Sequence, residues 1–369
     1  MNIILTGGGT AGHVSPALAV AEKILQRDKK SKILFIGRDG GGENDAVIKS
    51  GFELKTLKIQ GIKRKLSIDN LGILYRALKA RGDAKRIIKG FEPGVILGTG
   101  GYVCWPVINA GIKMGIPTAI HESNLSPGLT TKMLASKCDI IFLNHSDTKN
   151  YLPARSKSIT VGNPLRANFK TTDRINARKN LGLADDEFFI LSVGGSIGAE
   201  KLNEAVIELM KSYSVKDKKI KHIHAVGKRY FDKYKDSQLA KGGGGCLILP
   251  YIEDMPRMLS AADLVISRAG AMTISEIAAV GVASILIPSP NVSDNHQFKN
   301  ASKLESVGAA VLLEEKNLTL ESLKNAVASL KNDKNARKNK AKQIKQFDTP
   351  NAAELIVNEL KKLSFRAKL

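Results

Sequence analysis

Short apolar segments alternate with amphipathic segments along the whole chain. In the first half, this pattern predicts buried strands over residues 2–6, 32–36, 95–97, 118–121 and 140–143. In the second half, it predicts strands over residues 188–193, 220–226, 246–249, 264–267 and 284–288. Val14, Leu18, Ala21 and Leu25 recur at helical spacing after the first strand, and residues 201–212 and 273–280 are also predicted helices. Strands that alternate with helices are typical of parallel α/β domains.

The two halves of the chain carry glycine-rich segments at corresponding places. Residues 6–13 (TGGGTAGH) follow the first strand of one half, and residues 194–199 (GGSIGA) follow the first strand of the other. A second small-residue loop occurs in each half, at residues 97–102 and 267–273. This internal repeat predicts two Rossmann-like domains that face a central cleft. We place the domains at residues 1–162 and 163–345, with a polar boundary over 157–170. A basic helix over about 350–363, within a third segment 346–369, is expected to pack back on the first domain.

Composition limits the class of protein further. The 369 residues carry a formal charge of +22, from 57 Lys and Arg against 35 Asp and Glu. No apolar run approaches the roughly 20 residues that span a bilayer, and the first residues do not read as a secretory signal. Cys104, Cys138 and Cys246 form no disulfide framework, which favours a reducing compartment. The excess charge indicates an anionic partner, either nucleic acid or a phospholipid surface, or else a generally basic proteome.

The basic charge is concentrated in residues 60–90. Nine basic residues oppose Asp69 and Asp83 there, which gives 9 − 2 = +7: Lys63, Arg64, Lys65, Arg76, Lys79, Arg81, Lys85, Arg86 and Lys89. The apolar residues among them could form a membrane-facing surface or the core side of an ordinary helix: Leu66, Ile68, Leu71, Ile73, Leu74, Tyr75 and Leu78. Tyr75 is the one aromatic residue in this group, so we do not expect nucleic-acid binding. A second basic run, 331–346, is predicted to be a solvated helix face.

Glycine-rich loops between a strand and a helix expose backbone N–H groups to anions. Gly7, Gly9 and Gly12 fit a dinucleotide fingerprint with Asp39 as a ribose ligand, which keeps an NAD-dependent enzyme as an alternative. His13, at the opening of the next helix, is a candidate general base or else a solvated loop histidine.

The second half offers groups that suit a nucleotide sugar. Ser196 could contact phosphate, or its loop could be a tight packing turn. Thr273 could cap its helix and bind phosphate. Glu276, expected in the first helical turn, could accept hydrogen bonds from ribose hydroxyls, complement the helix dipole, or do both. Polar segments 121–124 and 294–297 follow predicted strands, where open sheets bind ligands. The sequence has no D-x-D motif and no His/Cys cluster with metal-ligand spacing, so we expect no protein-bound metal.

Eight ordered motifs resemble the MurG family of bacterial N-acetylglucosaminyltransferases, over residues 2 to about 345. They are TGGGTAGHV (6–14), GTGGY (98–102), HESN (121–124), VGNPLR (161–166), GGSIGA (194–199), YIEDM (251–255), SRAGAMTISE (267–276) and DNHQFKNA (294–301). The resemblance implies a GT-B fold and an inverting transfer of GlcNAc from UDP-GlcNAc to the C4 hydroxyl of undecaprenyl-diphospho-MurNAc-pentapeptide. This reaction converts lipid I to lipid II in peptidoglycan synthesis. It further implies no cofactor and a peripheral location on the cytoplasmic face of the cell membrane, with anionic lipid and other cell-wall synthesis proteins as partners.

The resemblance also assigns residues to roles. His13 would be the catalytic base, and Gly9, Gly12, Gly100 and Gly101 would contact the acceptor diphosphate. The positions implied for UDP-GlcNAc are Thr10, Ala11, Gly12, Asn124, Arg166, Ser196, Ile252, Ala271, Met272, Thr273, Ile274, Ser275, Glu276 and Gln297. Ala11 replaces a glycine of many relatives, and His296 replaces a glutamine of some. Another UDP-sugar enzyme of the same fold, such as a glycolipid synthase or a UDP-GlcNAc epimerase, is the main alternative.

Overall fold

The computed structural model describes residues 1–42, 44–59, 69–195 and 197–366, with the backbone alone at 69–75, 77 and 366. The strands are β1 Asn2–Thr6, β2 Lys32–Arg38, β3 Glu53–Leu57, β4 Val95–Gly98, β5 Thr118–Glu122, β6 Ile140–Leu143, β7 Ser158–Thr160, β8 Phe188–Val193, β9 Ile220–Ala225, β10 Cys246–Leu249, β11 Leu264–Ser267, β12 Ala283–Leu286 and β13 Val311–Leu312. The α-helices are α1 Ala11–Arg27, α2 Asn44–Lys49, α3 Asp69–Phe91, α4 Cys104–Lys113, α5 Leu129–Leu134, α6 Asn168–Thr171, α7 Arg174–Asn180, α8 Glu200–Leu209, α9 Met255–Ala261, α10 Ala271–Val280, α11 His296–Ser306, α12 Leu320–Asn332, α13 Lys334–Lys345 and α14 Ala352–Arg366. In the described ranges, no helix combines the length and the apolar character that crossing a membrane requires.

The strands form two parallel sheets. The first has the order β3-β2-β1-β4-β5-β6-β7, and the second has the order β10-β9-β8-β11-β12-β13. The backbone divides correspondingly into unit 1, Met1–Arg166 with Thr349–Leu369, and unit 2, Ala167–Asp348. The division falls at 166/167 and 348/349, rather than at the predicted 162/163 and 345/346. Two separate α/β units, each with a doubly wound parallel sheet, are the fold class that the sequence predicts.

Three strands were missed by the sequence analysis, and all three lie at sheet edges. They are β3, β7 and β13, each paired on one side only. β7 lies within the segment 157–170, for which the sequence predicts a polar domain boundary and no strand. Edge strands contact a single neighbour and need less apolar sequence, and β3 reads ELKTL, of which only Leu57 is buried. The hydrophobic pattern therefore identified the nine inner strands and the edge strand β10, and it missed the other three edge strands.

Unit 1 is completed by the C-terminal helix. α14 buries Ile356, Val357 and Leu360 in the same core cluster as Ile3 and Leu5 of β1. On the surface, Glu354 of α14 forms ion pairs with Lys23 (2.8 Å) and Arg27 of α1. Because α14 supports the back of α1, it supports the helix that carries the first glycine-rich loop.

Unit 2 places one face of its sheet against α8 and α12. Leu202, Val206 and Leu209 of α8 pack with Leu323 and Val327 of α12 over β8 and β11. The predicted helix 201–212 is two elements, because α8 ends at Leu209 and a π-helical turn follows over Met210–Ser214.

Candidate active site

The carboxyl edge of the first sheet carries two interlocked loops. The loop after β1 meets the loop after β4, where the N–H of Gly8 donates to the carbonyl of Gly100 (3.2 Å). Thr99 connects the same loops from beneath, because its N–H donates to Thr6 O (2.8 Å) and its hydroxyl donates to His13 O (2.6 Å). The two glycine-rich segments of the first half therefore form one continuous surface.

His13 lies in the first turn of α1, which begins at Ala11 rather than at His13 as predicted. Its Nδ1 lies 3.0 Å from the carbonyl oxygen of Gly8 and 3.3 Å from the hydroxyl of Thr10. A carbonyl can only accept a hydrogen bond, so in the neutral ring Nδ1 carries the proton. The basic lone pair then resides on Nε2, which is the tautomer that a general base requires.

The glycines opposite His13 allow the ring to lie against the backbone. A Cβ on Gly100 would lie 2.5 Å from Cδ2 of His13, and a Cβ on Gly101 would lie 1.9 Å from Gly8 O. Both residues also have positive φ, at 118° and 85°. A side chain at position 100 would displace the imidazole, and one at position 101 would displace the Gly8 carbonyl, so this loop needs glycine for close approach.

Glu122, at the end of β5, organises the polar segment 121–124. Its carboxylate is 5% exposed and accepts hydrogen bonds from the N–H and side-chain amide of Asn124 (3.0 and 3.1 Å), from Gly128 N (3.0 Å) and from Thr131 Oγ1 (2.6 Å). His121 is buried, and its Nε2 lies 3.0 Å from Gly162 O. Burial lowers the pKa of His121, so its neutral form is favoured. Asn124, a predicted sugar contact, is therefore held in place by a residue that the sequence analysis did not select.

Arg166 forms an ion pair with Glu22 of α1, at 2.6 Å between Nη2 and Oε1. Both side chains remain partly exposed, at 41% and 34%. The arginine that is predicted to bind the donor therefore pairs with a carboxylate within unit 1.

In unit 2, the loop after β8 is fitted closely to the loop after β9. A Cβ on Gly198, whose φ is +88°, would lie 2.2 Å from Val226 O. The fully buried side chain of Asn203 on α8 donates to the same carbonyl (2.8 Å), and its Oδ1 would lie 3.0 Å from a Cβ on Gly194. Ser196, the predicted phosphate contact of this loop, lies outside the described residues.

The start of α10 differs from the prediction in two respects. The N-cap is Gly270, so Thr273 lies inside the first turn and is not the cap. Glu276 is the sixth residue of the helix rather than part of its first turn. Of the predicted donor positions here, four have buried side chains: Ala271, Met272, Ile274 and Ser275. Thr273 and Glu276 are partly exposed at i, i+3 spacing, so these two side chains share the accessible face.

Glu276 is the most perturbed carboxyl group of this edge. Burial raises its pKa to about 8, and none of the described residues offers it a hydrogen bond or a cation. The residue as a whole keeps some exposed surface, while its carboxyl group is removed from water, and this desolvation is the cause of the shift. A carboxyl group in this state gains from any ligand that supplies hydroxyl groups.

The segment before α11 has a strained backbone. Asp294 and Asn295 have positive φ, at 55° and 49°, and they precede the first residue of α11, His296. Nδ1 of His296 lies 2.8 Å from Ser293 O, and Oε1 of Gln297 accepts a hydrogen bond from the N–H of Ser289 (2.9 Å). This bond orients the Gln297 amide so that its NH2 group points away from Ser289.

Ile252, the predicted contact for the uracil ring, follows β10. The whole residue is 3% exposed, so its side chain is not accessible to a base. The neighbouring Tyr251 is 40% exposed and has the ammonium of Lys228 5.8 Å from its ring centroid. Across the described part of the chain, no three His, Cys, Asp or Glu side chains are grouped as metal ligands.

Comparison with known proteins places these features in one class. The N-terminal domain of glycosyltransferase family 28 matches residues 3–143, and the C-terminal domain of that family matches residues 189–356. The two units thus define a family 28 glycosyltransferase.

Relatives of known name cover the whole chain. The UDP-N-acetylglucosamine–N-acetylmuramyl-(pentapeptide) pyrophosphoryl-undecaprenol N-acetylglucosamine transferase of Acetivibrio thermocellus is 41% identical over 98% of both chains. The transferase of the same name from Clostridioides difficile is 38% identical and covers 98% of this chain and 89% of its own. The crystal structure of Acinetobacter baumannii MurG has a TM-score of 0.72 and 30% identity, over 98% of this chain and 99% of that chain. The chain belongs to the MurG family, which confirms the family and the GT-B fold predicted from the motifs.

More distant structures share the fold alone. A UDP-GlcNAc 2-epimerase from Neisseria meningitidis bound to UDP-GlcNAc has a TM-score of 0.66 at 15% identity, over 98% of this chain. Because identity is this low, the likeness supports the architecture and not the epimerase reaction.

Proposed function

We infer that this enzyme transfers GlcNAc from UDP-GlcNAc to the C4 hydroxyl of undecaprenyl-diphospho-MurNAc-pentapeptide, converting lipid I to lipid II in peptidoglycan synthesis. The observation that carries this conclusion is 41% identity over 98% of both chains to a transferase named for this reaction. The predicted enzyme class and reaction are confirmed at the level of the family. The residue roles below are proposals.

The acceptor would be activated by His13. Its Nε2 would remove the proton of the C4 hydroxyl as that oxygen attacks the anomeric carbon, and a single displacement inverts the α configuration of the donor to β. The Gly8 carbonyl, 3.0 Å from Nδ1, would stabilise the imidazolium that forms. The backbone amides of Gly9, Gly12, Gly100 and Gly101 would bind the acceptor diphosphate.

The leaving UDP would be stabilised by unit 2. The amino end of α10, with Ala271, Met272 and Thr273, would meet the developing negative charge on the diphosphate through its N–H groups and the helix dipole. Ser196 remains a proposed phosphate contact from the loop after β8. Glu276 would accept hydrogen bonds from the ribose hydroxyls. Ile252 would contact the uracil through its backbone.

Sugar recognition would use the remaining predicted donor positions. The amides of Asn124 and Gln297 would bind GlcNAc hydroxyls. Thr10, Ala11, Gly12 and Arg166 would complete the donor side, with Arg166 leaving Glu22 when the donor binds. Ile274 and Ser275 can take part only through their backbone, because their side chains are buried.

We also propose that the enzyme is peripheral to the cytoplasmic face of the cell membrane. The described half of α3 buries Ala80, Ala84 and Ile88 in the core, so the apolar face of this half faces the core and not a membrane. The opposite face exposes Lys79, Lys85, Arg86 and Lys89, with Leu78 44% exposed among them, and Arg76 is exposed one turn before Ala80. Such a face suits anionic headgroups. Lys63, Arg64, Lys65, Leu66 and Ile68 lie outside the described residues, as do the side chains of Leu71, Ile73, Leu74 and Tyr75.

The reaction is tested by incubating the protein with UDP-GlcNAc and a lipid I analogue and measuring the disaccharide product. A GlcNAc-β(1→4)-MurNAc product supports the proposal. Conversion of UDP-GlcNAc to its 2-epimer without an acceptor would instead identify an epimerase. Transfer from UDP-glucose or UDP-galactose alone would contradict the donor assignment.

A further inference from the structure

Arg268 follows the last residue of β11 and lies two residues before the N-cap of α10. Its Nη1 donates to the carbonyl oxygens of Ile287 (3.2 Å) and Pro288 (3.3 Å), just beyond the end of β12. Its Nη2 forms an ion pair with Glu315, which begins the short 3₁₀ helix Glu315–Asn317 after β13. The two charged side chains are 13% and 8% exposed. One guanidinium therefore joins the carboxyl ends of three strands.

The backbone that Arg268 holds continues directly into the predicted sugar contact. The N–H of Ile287 donates to Ser267 O (2.8 Å), and the N–H of Ser289 donates to Oε1 of Gln297 (2.9 Å). Residues 287–289 are thus fixed by β11 and Arg268 on one side, and they fix Gln297 on the other. Arg268 also precedes α10, the helix that carries Glu276.

We propose that Arg268, held by Glu315, is a positioning residue that sets the placement of the sugar-binding segment 289–297 relative to the nucleotide-binding turn of α10. The proposal rests on the donor site described above. Arginine suits the role because its planar fork reaches the two carbonyls and the carboxylate at once, whereas the single ammonium of lysine cannot span them. Arg268 touches no substrate in this proposal, so its loss should impair recognition of the sugar more than recognition of UDP.

A matched control exists at the other end of the same strand. Arg178 on α7 is 8% exposed and donates to Ala261 O (3.2 Å), to Ala184 O and Glu187 O (2.7 Å each) and to Asp263 Oδ2 (3.1 Å), just before β11. It is likewise a buried arginine paired with a carboxylate and bonded to carbonyls. It lies at the amino end of the strand, away from the predicted donor contacts.

The test compares R268K, E315Q and R178K in the full-length protein. Calorimetry gives the Kd of UDP and of UDP-GlcNAc, and hydrogen–deuterium exchange of the ligand-free protein follows the segment 286–298. For R268K and E315Q we expect the Kd of UDP-GlcNAc to rise about tenfold, as for the loss of one or two hydrogen bonds, and that of UDP to change less than about threefold. Exchange over 286–298 should become faster. R178K should lower the Tm and leave the ratio of the two Kd values unchanged.

Three results would overturn the proposal. Equal weakening of UDP and UDP-GlcNAc by R268K would make Arg268 a direct nucleotide contact or a general stability residue. An equal change of the Kd ratio in R178K would remove the positional argument, and unchanged exchange over 286–298 would show that Arg268 does not hold that segment. If R268K fails to fold, E315Q alone tests the proposal, because it keeps the shape of the side chain that pairs with Arg268 and removes its charge. Wild-type protein that binds neither nucleotide would contradict the proposed function instead, while the exchange measurement would still decide whether Arg268 holds the segment.

Discussion

The two sheets have the same parallel plan, but their carboxyl edges carry different chemistry. In unit 1 the edge presents an imidazole whose tautomer is fixed by the Gly8 carbonyl and whose ring lies against the backbone of Gly100 and Gly101. In unit 2 the edge presents a helix amino end and the carboxyl of Glu276, which no described residue pairs. An imidazole with a fixed tautomer and orientation suits proton transfer, whereas a carboxyl group without a hydrogen-bond partner among the described residues suits ligand binding. The repeat thus supports a division of labour, with the base in one unit and the nucleotide site in the other.

The largest expected effect tests the unit 1 side of this division. Replacing His13 with Ala should lower turnover by about 10²–10⁴-fold, because no other group would accept the proton of the acceptor hydroxyl. The Kd of UDP should change less than about threefold, since UDP is assigned to unit 2. Steady-state assay of disaccharide formation, together with calorimetry, measures both.

A matched control for His13 is His145, which follows β6 in the same unit and contacts the Asn144 amide at 3.0 Å. His145→Ala should leave turnover within about threefold. If His13→Ala keeps normal turnover, or if both variants lose it equally, His13 is not the base.

The second prediction concerns Glu276. Glu276→Ala should weaken UDP-GlcNAc binding by about 10–100-fold, the loss expected for hydrogen bonds to a carboxyl group. The raised pKa has a consequence for the free protein as well. The pKa of Glu276 is 4.5 in the unfolded chain and about 8 in the folded protein, so between these pH values the folded state holds a proton on Glu276 that the unfolded chain has lost. The free energy of unfolding therefore declines as the pH rises through this window.

Glu276→Gln should remove this part of the pH dependence, because the amide does not titrate. Urea unfolding at pH 6 and pH 9 measures the change. A wild-type slope that persists in Glu276→Gln would assign the titration to another group, and unchanged donor affinity in Glu276→Ala would remove the ribose contact.

The third prediction uses a chain of buried serine and histidine side chains in unit 2. In unit 2, Ser214 Oγ lies 3.0 Å from His222 Nδ1, Nε2 of His222 lies 2.8 Å from Ser192 Oγ, and Ser192 Oγ lies 2.9 Å from His224 Nδ1. Burial lowers the pKa of His222 to about 3 and that of His224 to about 4. The unfolded chain therefore binds more protons than the folded chain below pH 6.5, and stability falls as the medium becomes acidic.

Acidification to pH 5.5 should cost unit 2 about 1 kcal/mol for each histidine. The single tryptophan, Trp105 in α4, reports on unit 1, whereas circular dichroism reports on both units. The test is made in the Glu276→Gln variant, because Glu276 in the same unit gains a proton over this pH range and opposes the histidine effect. In that variant we expect the dichroism transition to shift more than the Trp105 fluorescence transition between pH 7.5 and 5.5, and an added His222→Gln change to reduce that difference. The buried His121 contributes to the shift of the unit 1 transition. Equal shifts of the two transitions would contradict the assignment of the larger acid effect to the buried serine and histidine side chains of unit 2.

The sequence predicted what depends on local pattern. The nine inner strands and the edge strand β10, the glycine-rich loops and His13 all appear as short motifs. The sequence analysis missed the residues that hold those loops, because their partners are distant in sequence: Thr99 is 86 residues from His13, and Arg268 is 47 residues from Glu315. Glu122 belongs to the motif HESN, but the sequence does not show that the following residues, 124–131, fold back to give its carboxylate four hydrogen bonds. Helix starts were misplaced at α1 and α10 because Thr10 and Gly270 give no side-chain cap that a sequence pattern could reveal.

The smallest expected effect asks whether membrane attraction belongs to unit 1 or to the net charge as a whole. Lys85 lies on the exposed face of α3, and Lys338 lies on the exposed face of α13 in unit 2. If α3 meets anionic headgroups, Lys85→Gln should weaken binding to phosphatidylglycerol-containing vesicles about fivefold at low salt, with little effect in 1 M salt. Lys338→Gln removes the same charge and should have almost no effect. Sedimentation with vesicles measures both variants, and an equal loss for the two would attribute the attraction to the overall +22 charge rather than to α3.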